Sequence, residues 1–121
     1  MNLKTKNVVF YSPDFNMCYS FLMYLQDIYS VTTTTNIKVL EALVKNSEQS
    51  IVIIDAEPSK KIVDLCSNIH YIKNELPVIL TYVFKDQIKG IESDIRQYVS
   101  SIFYKPFDLN EISMKLSALM L

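Results

Sequence analysis

Apolar positions follow two periods along the chain, and each period predicts one kind of element. Five short runs rich in β-branched or aromatic residues predict strands at 7–12, 29–34, 51–55, 78–83 and 101–104. Several of these runs are apolar throughout instead of alternating with polar residues. Continuous apolar strands are typical of a parallel sheet that helices cover on both faces.

Five stripes of apolar residues at helical spacing separate and follow the strands, and each predicts a helix with one face on the sheet. The stripes are Phe15, Cys18, Leu22 and Leu25; Ile37, Leu40 and Val44; Ile62, Leu65, Ile69 and Ile72; Ile88, Ile91 and Ile95; and Leu109, Ile112, Leu116 and Leu119. Right-handed crossovers of such a chain predict an α/β fold. We expect a doubly wound, five-stranded parallel sheet of the flavodoxin-like (βα)5 type with strand order 2-1-3-4-5.

Composition indicates one domain over residues 1–121, because 50% of the 121 residues are hydrophobic and suffice for a single core. Lys and Arg number 12 against 13 Asp and Glu, without any run of like charge. Direct attraction to nucleic acid or to an anionic membrane therefore has no support. No segment approaches the roughly 18 uninterrupted apolar residues of a membrane span or has the form of a signal peptide, so we expect a cytoplasmic protein.

Several kinds of site are excluded because the chain lacks the residues that they require. Cys18 and Cys66 show neither a C-x-x-C spacing nor a nearby histidine, which predicts buried thiols and no disulfide or metal site. The lone His70 cannot build a metal site by itself. With Gly90 as the single glycine, the chain has neither a Gly-rich dinucleotide turn nor a P-loop. Most nucleotide enzymes are thereby excluded, and we expect no enzyme.

Three polar residues stand at the carboxyl ends of predicted strands: Asp55, Thr81 and Lys105. If those strands are parallel neighbours, the three share the sheet edge where open α/β sheets bind their ligands. A carboxylate nucleophile, a hydroxyl donor and an ammonium for phosphoryl oxygens are the parts that an acyl phosphate needs. A structural ion pair between Asp55 and Lys105 explains the same residues, and spacing alone leaves both interpretations open.

Over residues 7–119 the chain resembles the receiver domain of two-component response regulators. The resemblance rests on three motifs in order, which are Asp55 after Ile51-Val52-Ile53-Ile54, Thr81 after Val78-Ile79-Leu80, and Lys105-Pro106-Phe107. It implies that Asp55 is the phospho-acceptor, Thr81 the switch hydroxyl and Lys105 the residue that binds the phosphoryl group. It also implies a cis Lys105–Pro106 bond.

The chain departs from the family at the metal site, so the resemblance is to an atypical receiver. Receivers close their first strand with two adjacent acids that hold Mg²⁺, whereas this chain has Ser12 and Pro13 there. Since Mg²⁺ prefers oxygen ligands in octahedral geometry, the resemblance implies an impaired Mg site. Asp14 and Glu57 are the acids that can substitute as Mg²⁺ ligands, and structural or solvated roles compete with that assignment for both.

Two further departures concern the signal that follows phosphorylation. Ile102 stands three residues before Lys105, where the family commonly has an aromatic that rotates with the threonine. Isoleucine is stiff at χ1 and has no ring, which predicts a missing or altered coupling. Tyr98 stands where a glycine often ends the fourth helix, which predicts a changed helix end.

Two functions therefore remain open. The first is a receiver phosphorylated on Asp55 that alters a contact of its last helices, and the second is a pseudo-receiver that binds partners without phosphorylation. A small-molecule enzyme on the same fold is a third, less supported by the residues present. The resemblance implies a sensor histidine kinase or a downstream output protein as partner, and a homodimer through the face of the last helix.

Overall fold

The computed structural model describes residues 6–120, which form a five-stranded sheet with every strand pair parallel. The strand order is β2-β1-β3-β4-β5, as the sequence predicts. The strands are β1 (Asn7–Tyr11), β2 (Ser30–Thr34), β3 (Ile51–Asp55), β4 (Val78–Tyr82) and β5 (Ser101–Tyr104). β3 and β5 have their predicted bounds, and the other three are one residue shorter at one end.

Five helices cover the sheet, and most begin at a side chain that caps them. The helices are α1 (Phe15–Leu25), α2 (Ile37–Asn46), α3 (Lys60–Ile72), α4 (Lys89–Ile95) and α5 (Leu109–Leu119). Asp14, Asn36, Ser59 and Asp108 each accept a hydrogen bond from a first-turn N–H of α1, α2, α3 and α5 respectively. The helix α4 is short and lies between two 3-10 turns, Asp86–Ile88 and Arg96–Tyr98.

The core consists of two apolar layers on either side of β3 and β4, all ten of whose residues are buried. One layer packs α2, α3 and α4 against the sheet, and the other packs α1 and α5. Burial on both faces explains the uninterrupted apolar sequence of these strands.

Two helix stripes differ from their prediction. Phe15 is 71% exposed, whereas Phe21 is 1% exposed and stacks on Phe10 with ring centroids 4.1 Å apart. Ile72 at the end of α3 is also exposed. Phe15 is the first residue of α1 and lies one turn before Cys18, the first buried residue of that helix. Ile72 likewise follows Ile69, the last buried residue of α3. Both side chains therefore lie beyond the part of their helix that packs on the sheet.

The two thiols are free and buried, as predicted. Burial raises the pKa of Cys66 to about 12, so this side chain is a neutral thiol at ordinary pH. Across residues 6–120, no helix is both long enough and apolar enough to span a membrane.

Candidate functional site

The sheet ladder continues just past the strand ends and thereby fixes the backbone of the candidate site. The backbone N–H of Ser12 donates to the carbonyl of Thr34 at 3.2 Å, and that of Lys105 donates to the carbonyl of Tyr82 at 2.8 Å. Asp55 and Thr81 face each other in the register of β3 and β4. Four neighbouring strands, β1, β3, β4 and β5, therefore hold these polar side chains at one edge.

Asp55 lies at the centre of this edge and is 4% exposed. Its Oδ1 is 2.6 Å from the Nζ of Lys105 and accepts a hydrogen bond from the Thr81 hydroxyl at 2.8 Å. Its Oδ2 accepts a hydrogen bond from the Ser12 hydroxyl at 2.7 Å. The structure thus brings together the three residues that the sequence predicts, and adds Ser12 as a direct donor to the carboxylate.

The site opens to solvent through a cavity of about 380 Å³. Asp55, Thr81 and Lys105 line this cavity together with Ser12, and the lysine side chain is partly exposed. A carboxylate at the base of an open cavity, with an ammonium and hydroxyl donors beside it, can receive a group that carries negative oxygens. A purely structural ion pair does not require such a cavity.

The predicted metal ligands Asp14 and Glu57 line the same cavity as Asp55, but each is engaged in a contact of its own. The Oδ1 of Asp14 accepts a hydrogen bond from the backbone N–H of Asn16 and caps α1, while Glu57 pairs at 3.4 Å with Lys85 at the surface. Both oxygens of Asp55 already accept protein donors. Over residues 6–120 no group of three acidic, His or Cys side chains is placed to hold a metal ion. This arrangement does not fit a bound Mg²⁺ ion, and the ligand roles of Asp14 and Glu57 stay predictions.

The Ser12→Asp variant should convert the serine donor into a metal ligand. Without metal it should lower the free energy of unfolding by about 2 kcal/mol, because a hydrogen bond to Asp55 is lost and a second carboxylate is added. Millimolar Mg²⁺ should restore that loss in Ser12→Asp and should leave the control Ser12→Asn unchanged. Urea unfolding with and without Mg²⁺ measures both. An equal effect of Mg²⁺ on the two variants would contradict the account.

The residues after β4 and around β5 form the side of the site that faces α4. The Lys105–Pro106 bond is cis, as the resemblance implies. Ile102 packs on the layer of α2, α3 and α4. The aromatic rings near this position come from Tyr82 and Tyr104, which contact edge to face with centroids 5.6 Å apart.

A second buried carboxylate, which the sequence pattern does not predict, lies beside these rings. Glu92 of α4 is 7% exposed and accepts hydrogen bonds from the hydroxyls of Tyr82 and Tyr104, the latter at 2.9 Å. Arg96, one turn further along, donates to Glu92 at 2.9 Å. Since Tyr82 follows Thr81 and Tyr104 precedes Lys105, this cluster connects both strands of the candidate site to α4.

The hydrogen bonds of this cluster set the charge of Glu92. Burial acts to raise the pKa of Glu92, but the bonds from Tyr82, Tyr104 and Arg96 outweigh burial and hold that pKa below its ordinary value. Burial, together with the bond to Glu92, raises the pKa of Tyr82 and of Tyr104. The carboxylate is therefore ionised and both phenols are neutral at pH 7.

The Glu92→Ala variant should lower the free energy of unfolding at pH 7 by about 2 kcal/mol, because it leaves the buried Tyr82 hydroxyl without an acceptor. The exposed control Glu111→Ala should change it by less than about 0.5 kcal/mol. A depressed pKa means that the contribution of the Glu92 charge is present above the ordinary pKa of 4.5 and is lost as pH falls through the folded value. The advantage of wild type over Glu92→Gln should therefore shrink below pH 4.5 in urea titrations. A difference that is constant from pH 7 to pH 3 would contradict this assignment.

Of the comparisons with known proteins, only the one with solved structures finds matches. No protein-family model matches the sequence, and no curated protein matches it significantly. Among solved structures, the N-terminal receiver domain of a response regulator from Bacteroides fragilis matches with a TM-score of 0.81 at 16% identity, over 96% of this chain and 97% of that chain. The response regulator TrrA from Thermotoga maritima, in complex with Mg²⁺ and BeF, matches with a TM-score of 0.81 at 18% identity, over 94% of this chain and 98% of that chain.

An adenylate cyclase from Rhodopirellula baltica also matches, with a TM-score of 0.81 at 16% identity, over 95% of this chain and 87% of that chain. Fold likeness at such low identity says nothing about activity. The order of the strands, the cis Lys105–Pro106 bond and the three side chains at the sheet edge all agree with one architecture. The chain has the flavodoxin-like α/β fold of response regulator receiver domains.

Proposed function

We propose that residues 1–121 are a single receiver domain that takes part in two-component signal transduction by accepting a phosphoryl group on Asp55. The observation that carries this proposal is the Asp55 carboxylate at the base of an open cavity, with Lys105 and Thr81 within 2.8 Å of one oxygen. We propose a sensor histidine kinase as the donor and a downstream output protein as the recipient of the signal, both in the cytoplasm.

The residues of the site supply the parts of phosphoryl transfer. A carboxylate oxygen of Asp55 attacks the phosphorus of a phosphohistidine or a small acyl phosphate, a new P–O bond forms, and the leaving group departs with the electrons of the old bond. Lys105, Thr81 and Ser12 then turn their donors from the carboxylate to the phosphoryl oxygens. Lys105 thereby exchanges its contact with the Asp55 carboxylate, at 2.6 Å, for contacts with the phosphoryl oxygens.

Incubation with acetyl phosphate tests the proposal without requiring the cognate kinase. Intact-protein mass spectrometry should show the addition of one phosphoryl group, and peptide mapping should place it on Asp55. Because the arrangement does not fit a bound Mg²⁺ ion, we expect the yield to depend only weakly on Mg²⁺. Absence of the added mass at every Mg²⁺ concentration would exclude the phosphorylation model.

The pseudo-receiver is the second candidate, and the Ser12 hydroxyl favours it. That hydroxyl donates a hydrogen bond to Oδ2 of Asp55 on the side where receivers have metal-binding acids. The carboxylate therefore has hydrogen-bond partners on both oxygens without any ligand. In this alternative the domain binds partners, or a second copy through the face of α5, without phosphorylation. The exposed Met114 and the neighbouring Lys115 belong to that helix.

The Lys115→Glu variant distinguishes this alternative. If α5 forms the interface, Lys115→Glu should weaken self-association severalfold in analytical ultracentrifugation, because it reverses a charge beside an apolar side chain. Asp55→Asn should leave self-association unchanged if binding is independent of phosphorylation. Equal association of wild type and Lys115→Glu would exclude α5 as the interface. Under either candidate we propose a signalling role and no enzymatic turnover.

A further inference from the structure

A larger groove, separate from the Asp55 site, opens where α2 and α3 begin. Its volume is about 840 Å³, and none of its lining residues lines the cavity at Asp55. Its walls are the amino-terminal parts of the two helices, and Tyr11 at the end of β1 also lines it. The phosphoryl chemistry proposed above does not use this groove.

Three lysines of the groove lie in the first turns of its two helices. Lys38 lies in the first turn of α2, Lys60 and Lys61 lie in the first turn of α3, and neither first turn contains an acid. Cations are unfavourable beside the positive end of a helix dipole. Within residues 6–120, none of the three lysines forms a salt bridge, although Glu41 and Asp64 also line the groove one turn further along.

The same turns present free backbone donors. Asn36 accepts from the N–H groups of Lys38 and Val39, and Ser59 accepts from that of Ile62. The remaining first-turn N–H groups, those of Ile37, Lys60 and Lys61, donate to no acceptor among the described residues. Two helix starts with free N–H groups and three lysines, against two acids one turn further along, form a wall that attracts anions.

Tyr11 gives an independent indication of a ligand. Its side chain is 5% exposed and packs in the core layer of α2 and α3, yet its hydroxyl has no hydrogen-bond partner among residues 6–120. A tyrosine hydroxyl normally pairs with protein or water. Because no buried side-chain oxygen of residues 6–120 lacks a partner, the Tyr11 hydroxyl reaches the surface of the groove. Here the side chain lines the groove, so the unpaired hydroxyl is available to a ligand inside it.

We propose that this groove binds a phosphate-bearing small molecule of nucleotide size. The phosphate lies at the starts of α2 and α3, where it accepts from the free N–H groups, the lysines and the Tyr11 hydroxyl. Ile37 and Leu65 supply apolar surface for the organic part. The volume falls within the roughly 300–1,000 Å³ of small-molecule sites and exceeds what inorganic phosphate alone would fill.

Titration of the ¹⁵N-labelled protein with ADP at constant ionic strength tests this site. The backbone amides of Ile37, Lys60 and Lys61 should shift in a saturable way, and inorganic phosphate should produce a weaker version of the same pattern. Shifts that rise linearly without saturation would overturn the proposal. Shifts centred on Asp55, Thr81 and Lys105 would also overturn it, because the phosphate would then belong to the phosphoryl site.

Two variants and a matched control sharpen the test. Tyr11→Phe should weaken ADP binding roughly tenfold, because one hydrogen bond to a charged group is lost, and it should not lower the melting temperature. The double variant Lys60→Gln/Lys61→Gln should weaken ADP binding about fivefold. The control double variant Lys45→Gln/Lys89→Gln removes the same charge away from the groove and should leave ADP binding unchanged. Equal affinity of wild type and Tyr11→Phe, or equal loss in the two lysine pairs, would overturn the proposal. The outcome is independent of whether Asp55 is phosphorylated.

Discussion

The Asp55→Asn variant should receive no phosphoryl group from acetyl phosphate, whereas wild type should receive one. The amide has no nucleophilic carboxylate, but it has the same shape as Asp and can still accept from Thr81 and pair with Ser12. Lys105 loses its counterion, and because it is partly exposed it can turn to solvent. We therefore expect the fold to persist, with full loss of the added mass in intact-protein mass spectrometry.

The matched control for this prediction is Asp94→Asn, which changes an exposed carboxylate in the same way. It should be phosphorylated like wild type. Lys105→Ala should retain Asp55 as acceptor but reach a lower yield, because the cation for the phosphoryl oxygens is missing. A phosphoryl group on Asp55→Asn would show that another residue is the acceptor, and the assignment of the site would fail.

Phe21→Ala should lower the free energy of unfolding by about 3–5 kcal/mol, because truncation of a buried aromatic leaves a cavity that the neighbours fill only partly. Phe21 is stacked on Phe10 and also contacts Phe107 edge to face at 6.3 Å between centroids. This loss is a large share of the roughly 5–15 kcal/mol that stabilises a typical domain. Urea denaturation followed by circular dichroism measures it.

Phe15→Ala provides the comparison within the same helix. Phe15 is exposed, so its truncation should change the free energy of unfolding by less than about 0.5 kcal/mol. The pair of variants tests which face of α1 packs on the sheet. Similar losses in the two variants would mean that Phe15 is buried in solution and that the described orientation of α1 is wrong.

The sheet was predictable because its central strands are buried on both faces. Burial of that kind requires runs such as Ile51-Val52-Ile53-Ile54, which the sequence shows directly. Asp55 and Thr81 were predictable for the same reason, since each ends an apolar run and parallel strands end at one edge. The strand order then placed Lys105 beside them.

The bond between Ser12 and Asp55 could not be predicted from the sequence in the same way. It joins two residues 43 positions apart, and it depends on the rotamers of both side chains as well as on strand order. A hydroxyl at the end of the first strand was visible, but only the structure shows that it donates to the carboxylate. The exposure of Phe15 has a similar cause, because spacing places it on the same stripe as Cys18 and cannot show where the sheet ends.

The Glu92 cluster also depends on tertiary structure. Glu92 and Arg96 are spaced as an ordinary surface pair on a helix, which alone is worth a few tenths of a kcal/mol. The burial of Glu92 under Tyr82 and Tyr104 follows from the pairing of β4 with β5 and from the short helix α4. Through its hydrogen bonds to Tyr82 and Tyr104, which neighbour Thr81 and Lys105, Glu92 ties α4 to both strands of the site.

Amide NMR spectra with Mg²⁺, before and after addition of beryllofluoride, test the central proposal most directly. Beryllofluoride stands in for the phosphoryl group on the aspartate and requires no kinase. We expect shifts that centre on Asp55, Thr81 and Lys105 and extend to α4 and α5. An unchanged spectrum would contradict phosphorylation of Asp55 and would favour the pseudo-receiver.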